Sequence, residues 1–192
     1  MTLTSIYALR DKALKSGRLV FDLRQLANLG LLPTDHSRVY ASRLVEKGFA
    51  HRIKEGVISL TDDPLVVATQ LVEPSYVSFT SALYLRDFVQ QAPLLVQCVT
   101  TKNSFKLREP RIEYHRIVPE LYYGYERMER YGSYVWVATV EKAILDIVYF
   151  GVNYKLVRSV DKNKLLSLAG PYGLHGGNRG KRVKKWVEKF AH

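Results

Sequence analysis

A chain of 192 residues, 47% of them hydrophobic, can bury one compact core or two small ones, and no apolar run approaches the ~20 residues that span a bilayer. The N-terminal "MTLTSIYALRDK" lacks the apolar stretch of a secretory signal, and the single cysteine, Cys98, excludes an intramolecular disulfide or a cysteine-held metal cluster, so a soluble cytoplasmic protein is expected. The net charge of +11 is uneven, with ten basic and six acidic side chains over residues 1–62, nine and ten over 63–150, and ten and two over 151–192; this favours a polyanionic partner, nucleic acid before membrane.

Residues 3–16, "LTSIYALRDKALKS", place Leu3, Ile6, Leu9, Arg10 and Ala13 at helical spacing, with Gly17 as the stop. "RLVF" reads as a short extended piece. Asp22 suits the N-cap of a second helix with Leu23, Leu26 and Ala27 inward and Gly30 ending it. After the turn "LLP", Thr34 is the expected cap of a third helix reaching Lys47 before Gly48. "AHRIK" and "GVISL" then read as a hairpin around Glu55-Gly56. Helix, short strand, helix, turn, helix, hairpin is the order of a winged helix-turn-helix, assigned to residues 1–62.

At ~100° per residue the third helix has two distinct faces. Ser37, Ala41, Leu44 and Gly48, flanked by Tyr40 and Val45, pack inward; Asp35, His36, Val39, Ser42, Arg43 and Glu46 point outward, with Arg38 at the edge. A merely solvated face more often carries Glu and Lys in i,i+4 pairs. Short polar side chains, two arginines and one β-branched apolar residue suit base edges instead, since Arg pairs with guanine and Val39 can touch a thymine methyl. His36, Arg38, Val39, Ser42 and Arg43 are therefore the candidate base readers. Arg52 and Lys54, beside the Gly56 turn, are candidate contacts to the DNA backbone.

Residues 63–192 are read as a second, α+β domain. "DPLVVATQLVE" reads as a helix with Leu65, Val66, Ala68, Thr69 and Val72 spaced for burial, ended by Pro74; "FTSALYLRDF" reads as another, with Ala82, Leu83 and Phe88 inward. "LLVQCVTT" has strand length, "FKLR" and "RIEYHRIV" alternate across Glu109-Pro110, and "LYYGYERM" with "YVWVAT" suggests two more strands. "TVEKAILDIVYF" closes the unit as a helix capped by Thr139, with Ala143, Ile144, Ile147 and Val148 buried. The expected sheet is mixed and mostly antiparallel. The tail, "GPYGLHGGNRGKRVKKWVEKFAH", sets five glycines in eleven residues before a basic helix with Val183, Trp186, Val187 and Phe190 on one stripe. Lys181, Arg182, Lys184 and Lys185 off that stripe are candidate contacts to DNA phosphate; a solvated structural helix and a membrane-surface helix are the alternatives. A P-loop is excluded, because His175 and Arg182 stand where that motif needs Gly and Ser or Thr.

Four pieces of this domain, "YVSFTSALYLRDF", "VQCVTTKNSFKLREPRIEYHRI", "LYYGYERM" and "VATVEKAILDIVYF", follow one another in an order that resembles the AbiEi family, antitoxins and transcriptional regulators of type IV abortive-infection toxin–antitoxin systems. "EKAILDIVY", from Glu141 to Tyr149, is the most specific match, and the resemblance covers roughly residues 20–150. The C-terminal part is shorter than is usual in the family. The resemblance implies a winged-helix repressor that binds inverted repeats in its own operon, with a homodimer on DNA as the fitting assembly. It also implies antagonism of a nucleotidyltransferase-like toxin without a stable complex.

An enzyme is the competing class. No Asp/Glu-x-Lys of the restriction-nuclease type occurs among the 18 acidic residues, and the five histidines show no metal-ligand spacing, so no metal, cofactor or catalytic residue is assigned. Cys98 and His115 would make a nucleophile–base pair only if folding brought them together, and a lone Cys in an apolar strand is more often packing. Glu141 suits the first turn of its helix, and Asp146 can pair with Lys142 one turn away. Tyr122, Tyr123 and Tyr125 are read as strand-pairing residues before base-stacking ones. A regulator without a toxin partner, or a nucleic-acid-processing enzyme without a readable motif, stays open beside the antitoxin reading.

Overall fold

In the computed structural model, which describes residues 5–155 and 158–191, the chain forms two units: residues up to Glu73 with Met128–Val135, and Pro74–Arg127 with the chain from Trp136 onward. The class is α+β, with eight α-helices and two sheets among the described residues. In the first unit, helix α1 (Ile6–Ser16) is capped by Ser5, whose Oγ accepts from the Ala8 amide, and stops at Gly17. Strand β1 (Val20–Asp22) leads into α2 (Leu23–Gly30), where Asp22 and Gln25 form a reciprocal capping box, each side chain accepting from the other's amide at 2.7 and 2.9 Å. Helix α3 (Thr34–Glu46) is followed by strands β2 (His51–Lys54) and β3 (Val57–Ser59), which turn at Gly56. The sheet order is β1-β3-β2, antiparallel throughout. Leu9, Ala13, Phe21, Leu26, Tyr40, Leu44 and Ile58 make one core between the helices and this sheet. Helix α4 (Pro64–Leu71) belongs to the same unit, and its buried Gln70 accepts from the Leu19 and Val20 amides and donates to Ser133.

Two helix ends differ from the sequence expectation. Gly30 is not the stop of α2: the left-handed cap is Leu31 (φ 51°), while Gly30 is buried where a Cβ would stand 2.8 Å from Leu32 and 3.0 Å from Leu9. That glycine serves packing space rather than backbone handedness. Thr34 does not cap α3 either, because it is already helical and Pro33 precedes it without a side-chain cap.

The larger sheet has six strands in the order β6-β7-β5-β4-β9-β8. Its strands are β4 (Ser75–Val77), β5 (Val96–Thr100), β6 (Phe105–Leu107), β7 (Ile112–Arg116), β8 (Tyr125–Arg130) and β9 (Ser133–Ala138). The β5–β7 and β4–β9 pairings are parallel, β4–β5 and β6–β7 are antiparallel, and β8–β9 is a hairpin across two residues, so the sheet is mixed with antiparallel pairs in the majority. Helix α5 (Phe79–Leu85) ends before Phe88, which is only half-buried. The glycine-rich run is helical: α7 (Lys162–His175) passes through Gly170, Pro171 and Gly173, and α8 (Gly177–Ala191) follows at once. The reason is close helix crossing. A Cβ at Gly176 would stand 2.5 Å from the Tyr172 carbonyl, and one at Gly180 would overlap it.

Helix α6 (Val140–Phe150) is not amphipathic in place, since every residue from Glu141 to Tyr149 is buried. A fully buried helix must then satisfy its two central charges internally. Lys142 donates to Asp146 Oδ1 (2.7 Å), to the Leu121 carbonyl (2.8 Å) and to the Tyr172 hydroxyl (2.5 Å), which uses all three ammonium protons. Asp146 also accepts from Tyr172 (2.6 Å), Tyr76 (3.0 Å) and Ser78 (2.7 Å). Strand β4, helix α6, helix α7 and the 3-10 turn Pro119–Leu121 thus meet at one ion pair with both side chains at 0% exposure. Burial pushes the Lys142 ammonium pKa down, against the pull of Asp146, and pushes the Tyr76 and Tyr172 phenols up. Gly124 (φ 74°) lets the neighbouring loop lie on the lysine stem, where a Cβ would stand 3.1 Å from Lys142 Cβ. Lys142→Met strands the Asp146 carboxylate and is expected to cost about 3–5 kcal/mol in denaturant unfolding; a loss below ~1 kcal/mol would show that the pair does not hold these elements together.

Candidate nucleic-acid interface

The inward residues of α3, namely Ser37, Tyr40, Ala41 and Leu44, are buried, which fixes the rotation of the helix on the core. The opposite arc is left to solvent: Asp35, His36, Arg38, Val39, Arg43 and Glu46 are exposed and Ser42 is half-buried. Val39, at 48% exposure, is an apolar residue with no core role. Arg43 lies 5.9 Å from the Tyr40 ring, and neither Arg43 nor Arg38 pairs with a carboxylate among the described residues. The hairpin lies beside this helix: Arg52 Nη2 donates to Ser42 Oγ at 2.9 Å, and Lys54 is exposed next to the Gly56 turn. All seven residues predicted for the helix and hairpin belong to one unit, and the Ser42–Arg52 hydrogen bond joins the helix face to the hairpin. Such a surface offers forked guanidinium donors, an imidazole, a hydroxyl and one apolar contact, a set able to meet base edges and phosphates alike.

Two features of this surface were not read from the sequence. A concavity runs between the N-terminal end of α1 and α3, lined by Ser5, Ile6, Tyr7, His36, Val39, Tyr40 and Arg43. Tyr7 is 53% exposed there, and its position off the Leu9–Ala13 stripe was the available signal. The Ser42–Arg52 hydrogen bond had no local signal, because its partners lie on different elements ten residues apart.

The tail residues lie in the second unit. Lys181, Arg182, Lys184 and Lys185 are exposed on α8, while Val183 is buried, Trp186 and Val187 are half-buried, and Trp186 stacks on Phe190 at 4.9 Å. Arg182 differs from the lysines: its guanidinium lies against Gly151, the C-cap of α6, where a cation complements the helix dipole. Of the three tyrosines Tyr125 stands in a strand, at the start of β8, and none is an open stacking platform. Tyr122 and Tyr123 precede β8, Tyr125 stacks on Tyr76 at 4.8 Å, and Tyr123 donates to the Leu168 carbonyl at 2.6 Å, so all three wrap the Lys142–Asp146 network.

Folding does not make a nucleophile–base pair of Cys98 and His115. Cys98 is in register with Tyr114 and Val99 with His115, so the two side chains leave the sheet on opposite faces. Burial also pushes the Cys98 thiol pKa up, away from thiolate. No group of three or more metal-ligating side chains occurs among the described residues, and no described helix is long and apolar enough to cross a membrane. Scans against protein-family models and against curated proteins each return no match to this chain.

His115 carries its own signature. Its Nε2 is buried with no hydrogen-bond partner, 3.8 Å from Glu113, and its ring packs on Phe79 and Phe150. Burial lowers its pKa from 6.5, opposed by Glu113 and assisted by Lys106 and Arg179. The unfolded chain then takes up the proton first, so stability is full above about pH 6.5 and is lost as pH falls toward the folded value. His115→Phe is expected to flatten the acid side of the stability profile below about pH 6.5; an unchanged slope in urea titrations would remove His115 as its source.

Proposed function

We propose that this chain is a sequence-specific DNA-binding repressor, with a winged helix-turn-helix in its first unit, and the antitoxin of a type IV, AbiE-like toxin–antitoxin system. The observation that carries the DNA-binding half is the outer face of α3, where His36, Arg38, Val39 and Arg43 are exposed and the half-buried Ser42 meets a hairpin bearing Arg52 and Lys54. In this reading α3 enters the major groove, two copies sit on inverted repeats of the chain's own operator, and binding occurs in the cytoplasm. The basic α8 of the second unit, with Lys181, Lys184 and Lys185 at solvent, supports a further electrostatic contribution from phosphate. The antitoxin half rests on the resemblance carried by "YVSFTSALYLRDF" and "EKAILDIVY"; it requires functional antagonism of a nucleotidyltransferase-like toxin without a stable complex. A neighbouring reading frame with a nucleotidyltransferase signature separates the antitoxin from a regulator acting alone.

The test is a footprint of the full chain on DNA upstream of its own gene, repeated across a salt series. Protection of an inverted repeat with affinity falling steeply as salt rises supports the reading, and no sequence preference at any salt sinks it. Arg43→Ala is expected to cost about 1–3 kcal/mol at one operator position while leaving the others unchanged. Unaltered preference in a competition assay would take Arg43 out of the reading set. Replacing Lys184 and Lys185 together by Ala is expected to flatten the log–log salt slope by up to ~2 without altering sequence preference; an unchanged slope would leave α8 a structural helix.

A further inference from the structure

We infer that Arg52 is a base-reading residue for a guanine and that Ser42 is the positioning residue that aims it, an assignment that rests on the DNA-reading surface proposed above. From sequence alone the two roles are reversed, with Ser42 on the reading helix and Arg52 on a wing that grips backbone. The geometry joins them: Arg52 Nη2 donates to Ser42 Oγ at 2.9 Å, so the guanidinium of the hairpin is brought to the α3 face.

Three observations carry the assignment. The first is donor arithmetic. A guanidinium has five N–H groups in a planar fork, and Nη2 holds two of them. One engaged with Ser42 leaves the second Nη2 proton together with those of Nη1 and Nε, and no acceptor among the described residues takes them. An intact fork is what guanine O6 and N7 require. The second is aim. The β2–β3 register slips between Arg52 and Lys54, two residues of β2 standing against one step of β3, and such a bulge redirects the side chain next to it. The third is contrast with Lys54. Both are exposed on β2, yet Lys54 has no tether, and a lysine is a point charge on a flexible stem, the kind of cation that follows phosphate. A tethered arginine has already lost much of its rotamer freedom, so it loses less on meeting a base. Ser42, half-buried and one helical turn after the exposed Arg38, acts through Arg52 rather than on a base itself.

The experiment is selection from a randomised duplex pool with the full chain, followed by titration of the selected duplex and its single-pair variants across a salt series. Arg52→Ala is expected to erase the preference for guanine at one position, weakening the cognate duplex roughly 10- to 100-fold while the salt slope holds. Arg52→Lys keeps the charge and loses the preference. Ser42→Ala weakens the same position and no other, Ser42→Thr restores it by returning the hydroxyl, and the Ser42→Ala/Arg52→Ala pair is no worse than Arg52→Ala alone. A uniform loss across all sequences on Arg52→Ala, with the salt slope reduced by about one, makes Arg52 a phosphate contact and overturns the assignment. Additive effects of the two alanine variants, or effects at different positions, overturn the part given to Ser42. A wild-type chain that selects no sequence removes the DNA-reading surface itself, a failure separable from the others because it precedes any variant. Thermal melting of each variant, expected to match wild type for these surface positions, keeps a folding defect from imitating any of these results.

Discussion

One buried ion pair organises the second unit. Lys142 and Asp146 lie one turn apart on a helix that is enclosed on every side, and neither could stay charged there alone. Three ammonium protons meet three acceptors, and the carboxylate collects the hydroxyls of Tyr76, Ser78 and Tyr172. Each partner comes from a different element, so satisfying the pair dictates where β4, α7 and the turn at Leu121 must stand. A hydrophobic pair of the same volume would be no less stable in itself. What the charges add is directionality, since each hydrogen bond to the pair fixes where the partner's element stands.

Other features of that unit are arranged around this demand. Gly124 clears space above the lysine stem, and Tyr123 and Tyr125 close the sides. Tyr172 reaches the pair from α7, and the glycines at 176 and 180 let α8 begin against the Tyr172 carbonyl. The glycine-rich stretch that resembles a loop in composition is thus a helix crossing, made necessary by where Tyr172 has to be.

In the first unit the governing constraint is simpler. A three-stranded sheet and three helices share one small core, and burying Tyr40, Ala41 and Leu44 leaves the other side of α3 no apolar partner. Its exposed side chains are accordingly free for a ligand. The hairpin then adds to that face through Arg52 rather than standing apart from it.

Local chemistry made much of this legible in advance. Asp22, Thr139 and Gly17 cap helices because a side-chain oxygen or a left-handed residue satisfies backbone groups only a few residues away. The two faces of α3 follow from helical periodicity, which is also local. Of the boundaries that failed, the one at Thr34 lies a single residue off, with the helix starting directly after Pro33, while at Gly30 Leu32 and the distant Leu9 fill the space a side chain would need. The same distinction separates the sites. Sequence alone determined which residues of α3 face outward and that Asp146 stands one turn from Lys142. Only the tertiary structure decided that this pair is wholly buried, that Tyr76 and Tyr172 complete it, that two strand pairings are parallel, and that Ser42 holds Arg52. Those outcomes depend on partners brought from other elements, and a periodicity within one element carries no record of what it will be packed against.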